Sequence, residues 1–349
     1  MARPRRSSLC EPGCVGSAGA VRSAPGRTPW RRRDLLRWAA ASTPAAIGAL
    51  LLPGCGPRQD PAFNSPPLYP VRRAGRWGFV DPDGVLVVPP RYDWASRFWG
   101  DLAVVERDGR AGYLGLDGNE AISPRFRLDD AEDTAARTFG DGLAAVRVDQ
   151  AWGYINPAGA FIIAPRFADC GDFGSGLAYA SEDGARYGLI DLRGTWVLEP
   201  RYPAMNDYAG GLAAHVRGGR WGFVDRSGRE RIKPAYDGAG AFTGPLAPVQ
   251  VEGQWGFVDR SGQTLVKPSY RQAGGFVNSH APVCDAAGRW GYLKLPSGGG
   301  PPVLGVPHRY DAAGPYLGPV DAKDGRLLAQ VEQAGEVFYI DTVGHRHLG

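Results

Sequence analysis

The sequence predicts an all-β protein: a tandem array of about eight three-stranded β-meander repeats, forming an open solenoid-like row or, alternatively, a closed propeller-like ring. Three observations carry that expectation. Gly (51) and Pro (30) are abundant among the 349 residues, as many tight turns require, and 11% aromatics give more ring surface than a disordered chain carries. A Trp-Gly pair recurs at Trp77-Gly78, Trp152-Gly153, Trp221-Gly222, Trp255-Gly256 and Trp290-Gly291, at multiples of about 34–38 residues. Such a fixed period marks a repeat architecture. Weaker copies fill the other places, at Ala111-Gly112, Tyr187-Gly188 and, most degenerate, Val337-Phe338.

Each unit reads in a fixed order. Leu102 to Glu106 is a short apolar strand, Asp108-Gly109 a hairpin turn, and Ala111 to Leu114 the second strand. After the Trp-Gly strand comes a turn such as Asp81-Pro82-Asp83-Gly84 or Asp259-Arg260-Ser261-Gly262. Its Asp can accept from backbone N–H groups and its Gly can take φ > 0. An aliphatic run then ends in Pro-x-Tyr or Pro-x-Phe (Pro90-Arg91-Tyr92, Pro165-Arg166-Phe167, Pro234-Ala235-Tyr236), where Pro ends the strand by removing a ladder donor. An aromatic residue and a Leu-Ala pair follow, as in Phe98 with Leu102-Ala103, Phe173 with Leu177-Ala178 and Phe242 with Leu246-Ala247. Irregular joins of about 10–17 residues connect the units.

Four elements recurring in one order resemble the WG-repeat family of bacterial proteins, over roughly residues 69–349. The resemblance implies an all-β repeat architecture and no particular reaction. Alternation along a strand places Trp77 and Phe79 on one face and Gly78 and Val80 on the other. One meander cannot bury its surface alone, so the units must stack. Trp77, Trp152, Trp221, Trp255 and Trp290 are therefore expected as structural repeat core, with the glycine face leaving room for a neighbouring unit's ring. The first meander (about 69–90) and the last (about 327–348) each read as complete. That favours the open row, because a ring closed by strand sharing would split one unit.

The first 54 residues read as an export leader that is removed. Arg32-Arg33 followed by Asp34-Leu35-Leu36-Arg37 resembles a twin-arginine signal, and the apolar stretch from Trp38 to Leu52 is too short to span a membrane. Leu52-Pro53-Gly54-Cys55 resembles a bacterial lipobox, which implies lipidation at Cys55. Residues 55–68 form a lipidated linker and 69–349 the repeat array. The expected location is thus the bacterial cell membrane or outer membrane, reached by lipid anchor, with the array facing the periplasm or exterior. Residues 1–55 hold nine Arg and two acids, leaving 31 basic against 34 acidic residues, a net of about −3. That balance offers no case for nucleic acid.

Signals for chemistry are sparse. The histidines His215, His280, His308, His345 and His347 are scattered, and Cys10, Cys14, Cys170 and Cys284 form no metal-ligand spacing. Asp81-x-Asp83-Gly84 lacks the later Glu of a calcium loop. No catalytic residue, metal or cofactor is assigned. The densest acids, Asp129, Asp130, Glu132 and Asp133, occupy a long inter-repeat segment. Two functions of different class follow. The preferred one is an envelope-anchored binding or scaffold lipoprotein presenting a surface to protein, peptide or glycan partners. The alternative is an envelope-polymer hydrolase using carboxylates on inter-repeat loops.

Overall fold

The computed structural model describes residues 68–127, 135–317 and 327–347, and within them every regular element is a strand. The strands form eight separate antiparallel sheets, each from consecutive segments of the chain. These sheets are repeats 1 to 8 below. Repeat 1 holds Tyr69–Arg73, Arg76–Val80 and Leu86–Tyr92. Repeat 8 holds Ala312–Leu317, Leu328–Gln333 and Glu336–Ile340.

The six repeats between them carry a fourth, leading strand absent from the sequence reading. It is only two residues long at Trp94–Ala95, Asp169–Cys170, Gly238–Ala239 and Gln272–Ala273, too short to leave a periodic pattern. Around these strands equivalent positions of successive repeats meet: Thr138 Oγ1 donates to Asp172 Oδ2 at 3.2 Å, and the Asp172 N–H to Asp207 Oδ1 at 3.0 Å. Eight units in a ring bring equivalent atoms that close only near the axis, so the leading strands are the innermost.

The array is the closed ring, an eight-bladed β-propeller, rather than the open row. Among the described residues no strand is shared at the join. Instead Tyr339 Oη donates to Pro70 O at 2.9 Å, and the Tyr69 and Tyr339 rings pack edge to face at 5.4 Å. Arg97 Nη1 reaches across to Leu328 O at 3.0 Å and Pro315 O at 3.3 Å. Arg97 belongs to repeat 2 and its acceptors to repeat 8, so it spans the inner side of repeat 1, whose sheet shows no leading strand among the described residues. The first meander is whole, but the last holds, among the described residues, only a single Ile340–Arg346 bridge where its outer strand was expected, so the completeness that favoured the row is missing there.

Adjacent repeats are joined by one recurring contact. The aromatic after Trp-Gly packs on the aromatic that opens the next unit: Phe79 on Phe98, Tyr113 on Phe139, Tyr154 on Phe173, Phe223 on Phe242, Phe257 on Phe276 and Tyr292 on Tyr316, with centroids 4.6–5.5 Å apart. Such pairs add about 0.5–1.5 kcal/mol each beyond area burial. Where this residue is Tyr, its hydroxyl also bonds the next unit, as from Tyr154 to Gly171 O at 2.7 Å and from Tyr292 to Gly314 O at 2.8 Å. Tyr339 occupies the same motif position, so the last repeat grips the first with the group that grips elsewhere.

The glycine of the pair makes room within its own sheet, which corrects the expectation of a neighbour's ring. In repeat 1, Trp77 pairs with Tyr92 and Phe79 with Val88, so three residues bulge opposite Gly78. A Cβ there would lie 2.4 Å from Val88 O and 2.8 Å from Pro90 N. The same contact faces Gly112, Gly153, Gly188, Gly222, Gly256 and Gly291. Among the described residues repeat 8 carries no outer strand beyond the single Ile340–Arg346 bridge, and Phe338 takes the glycine place.

Candidate functional site

Eight copies of one unit show what each position of the repeat normally holds. The residue opening the second strand is Leu in seven repeats: Leu68, Leu102, Leu143, Leu177, Leu212, Leu246 and Leu328. In repeat 7 it is His280. Directly across the ladder from it, other repeats place Asp81, Gly115, Asn156, Asp191, Asp225, Asp259 or Asp341, whereas repeat 7 places Lys294. The Asp residues there tie down a tight turn, as when Asp259 Oδ1 accepts from the N–H groups of Ser261 and Gln263, both at 2.9 Å. With Lys294 that device is gone, and Leu295 to Pro302 form a longer Gly/Pro-rich loop before the outer strand Val303–Tyr310.

These three departures surround one cleft of about 720 Å³. Leu246 and Leu265 of repeat 6, Leu295 of repeat 7 and Leu327 of repeat 8 line it, together with His280 and Lys294. None of its described lining residues is Asp or Glu. His280 is buried, 3% exposed, with its ring tilted on Tyr316 at a centroid distance of 4.7 Å. Nδ1 lies 2.7 Å from Asn278 O, so it carries the proton and donates, which leaves Nε2 as an acceptor. Nε2 has no partner. Burial lowers the His280 pKa below its ordinary value, keeping the ring neutral near pH 7. Lys294 is exposed at the rim. The cleft thus combines apolar walls, a neutral acceptor and one cation, in the size range of ligand sites. Local rules broken together at one place are a mark of function.

A second concentration of charge lies on the inner strands of repeats 3 to 5. Arg137 Nη2 stands 3.8 Å from Asp169 Oδ1, with Asp172 and Asp207 alongside. Burial, then the neighbouring Asp172 carboxylate, push the Asp207 carboxyl up to about 8. Folded Asp207 therefore keeps a proton that the unfolded chain releases near pH 4. Its contribution to stability is present at low pH and is lost as pH rises from about 4 to 8. Asp207→Asn, neutral throughout, is expected to lose less melting temperature than the parent between pH 5 and 8. Equal slopes in a thermal-melt series over that range would show that the group is not held protonated.

Of the residues singled out from sequence, Trp77, Trp152 and Trp290 are buried, at 7%, 2% and 7% exposure, while Trp221 and Trp255 are half-buried. Each pairs across the ladder with the aromatic ending its outer strand: Tyr92, Phe167, Tyr310, Tyr236 and Tyr270 respectively. Cys170 and Cys284 are buried free thiols. His345 and His347 share the Asp341 carboxylate, at 3.3 and 3.0 Å. Among the described residues no group of three or more His, Cys, Asp or Glu could hold a metal ion. Arg32, Arg33, Cys55 and the acidic run Asp129 to Asp133 lie outside the described residues.

Comparison with known families matches the model described as WG containing repeat to residues 77–110, 152–184, 187–220, 221–255 and 255–290. The chain carries WG-containing repeats. Each match opens at the Trp-Gly strand of one sheet, in repeats 1 and 3 to 6, and runs into the first strands of the next sheet; residues beyond 290 are unmatched. The last match therefore takes in His280, while Lys294 and the loop from Leu295 to Pro302 lie beyond its end. No curated protein sequence matches the chain. Similar solved structures include BamB from Moraxella catarrhalis, with 14% identity over 77% of this chain and 89% of that one at a TM-score of 0.44. A eukaryotic initiation factor has 10% identity over 81% and 85% at a TM-score of 0.49. KlHsv2 with its loop 6CD replaced by a Gly-Ser linker has 9% over 69% and 98% at a TM-score of 0.42.

Proposed function

We propose that this protein is an exported, lipid-anchored binding module, in which the ring of WG repeats is a rigid scaffold and the repeat 7 cleft is its recognition site. The observation that carries this reading is the joint replacement, in one repeat of eight, of a leucine by His280, of the turn carboxylate by Lys294, and of the tight turn by an eight-residue loop. A residue needed only to fill the core would follow the other seven copies. A hydrolase would need paired carboxyl groups about 5–10 Å apart in a groove; the cleft's described lining supplies no acid, and the acids gathered on the inner strands, Asp169, Asp172 and the buried Asp207, stand against Arg137 outside this cleft.

Export and anchoring rest on the leader: Arg32-Arg33, the apolar stretch to Leu52, and Cys55. Each acyl methylene buried in a bilayer contributes about 0.8 kcal/mol, so the several chains of a processed lipobox cysteine hold a protein there durably. Cys55→Ala is expected to move the protein from the membrane pellet to the soluble fraction of the producing cell. Continued pelleting of that variant would contradict the anchor.

Recognition at the cleft is tested in the lipidated protein within its native envelope, with a photo-crosslinking residue in place of the exposed Ser297. A discrete adduct is expected that disappears when His280→Leu and Lys294→Asp are added. An adduct indifferent to both substitutions would place recognition elsewhere on the ring.

A further inference from the structure

The chemistry of the cleft narrows what can occupy it. Four leucine side chains ask for an apolar body. The buried Nε2 of His280 lacks a donor, and an unpartnered polar atom in such a place is destabilising until something bonds it. Lys294, directly opposite His280 on the adjacent strand, offers a cation with no acid among the described lining residues to neutralise it. Directly opposed residues hold their Cβ atoms about 5 Å apart, so donor and anion must sit close together on one ligand. An ionised fatty acid supplies the anion and the apolar body but no donor. A neutral sugar supplies donors but neither of the others.

One common group supplies all three. The last residue of a polypeptide has an amide N–H, a carboxylate two bonds away, and, when it is Leu, Ile, Val or Phe, an apolar side chain between them. Resting on the reading of this cleft as a recognition site, we infer that it binds the C-terminal residue of an apolar-ended peptide. The side chain lies among Leu246, Leu265, Leu295 and Leu327, the carboxylate faces Lys294, and the N–H completes His280, whose ring shifts to bring the buried Nε2 to the cleft. The cleft also accommodates the residue or two before it, since about 720 Å³ exceeds one side chain several-fold.

Isothermal titration of the intact folded protein with N-acetyl-Ala-Ala-Leu as the free acid tests this, alongside its C-terminal amide and decanoate as probes. The free acid is expected to bind, and the amide at least 10-fold more weakly. His280→Leu and Lys294→Asp are each expected to weaken the free acid at least 10-fold. Both substitutions install what other repeats already use, so both variants fold; His280→Leu is expected to melt at or above the parent temperature. Absence of binding by the free acid at millimolar concentration, equal binding of acid and amide, or decanoate binding as well as the peptide would each overturn the inference. If the crosslinked adduct in the envelope still depends on His280 while no peptide acid binds, the peptide chemistry is wrong and the recognition site stands.

Discussion

Gly256→Ala is expected to destabilise the protein by about 3 kcal/mol or more, beyond the loss from truncating the half-buried Trp255 beside it. A Cβ on residue 256 would stand 2.4 Å from Val266 O and 2.6 Å from Pro268 N, both backbone atoms of the bulged outer strand. A flexible side chain could swing aside; this backbone is held by the pairing of Phe257 with Val266 and of Trp255 with Tyr270. Relief therefore means breaking the bulge or parting the strands. Gly298→Ala serves as the control, because nothing lies within 4 Å of a Cβ there, and it is expected to melt with the parent. Denaturant midpoints of the two variants check the pair. Near-equal midpoints would mean that the outer strand does not press on the glycine.

The second large effect is expected at the join. Arg97→Ala removes the donor to Pro315 O and Leu328 O and the guanidinium that lies over the Tyr339 ring, 5.3 Å from its centroid. Hydrogen bonds to a charged group contribute about 1.5–3 kcal/mol each, and stranded acceptors add to the loss. Tyr339→Phe removes the buried bond to Pro70 O, at about 1–3 kcal/mol. Because Arg97 touches Tyr339, the double variant is expected to lose less than the sum of the singles. Hydrogen exchange localises the effect. Amides of Tyr69–Arg73 and Leu328–Gln333 lose protection in Arg97→Ala while those of Leu212–Arg217, on the far side, keep it. Uniform loss, or none, would remove Arg97 from the closure.

What the sequence revealed and what it hid divide along physical lines. The three-stranded meander was readable because each strand is bounded by residues with one backbone purpose, such as Asp225 and Gly228 at a turn or Pro234 ending a strand. The two-residue inner strands could not be read, since a segment such as Gln272–Ala273 is shorter than any period. Ring closure was hidden for another reason: its donors, Arg97 and Tyr339, look like ordinary repeat residues and act at a separation of more than 200 positions. The role of the glycine was misjudged because alternation gives the face of Gly78 but not the bulge that Val88 to Tyr92 throws over it. The site residues had a usable signal. Viewed as one of five scattered histidines, His280 says nothing; aligned against the seven leucines at its place, it is the exception, and Lys294 is the exception beside it.

The account depends most on the eight sheets forming a ring, because the cleft is shared by repeats 6, 7 and 8 and Arg97 grips across repeat 1. Spin labels at Val85 and Val343, each 60% exposed, mark repeats 1 and 8, and a label at exposed Arg229 marks repeat 5. Pulsed electron–electron resonance on the two labelled pairs then reads the topology directly. In the ring, the separation between 85 and 343 is shorter than that between 85 and 229. A row of stacked units reverses the order, and finding 85 farther from 343 than from 229 would contradict the closure and the account built on it.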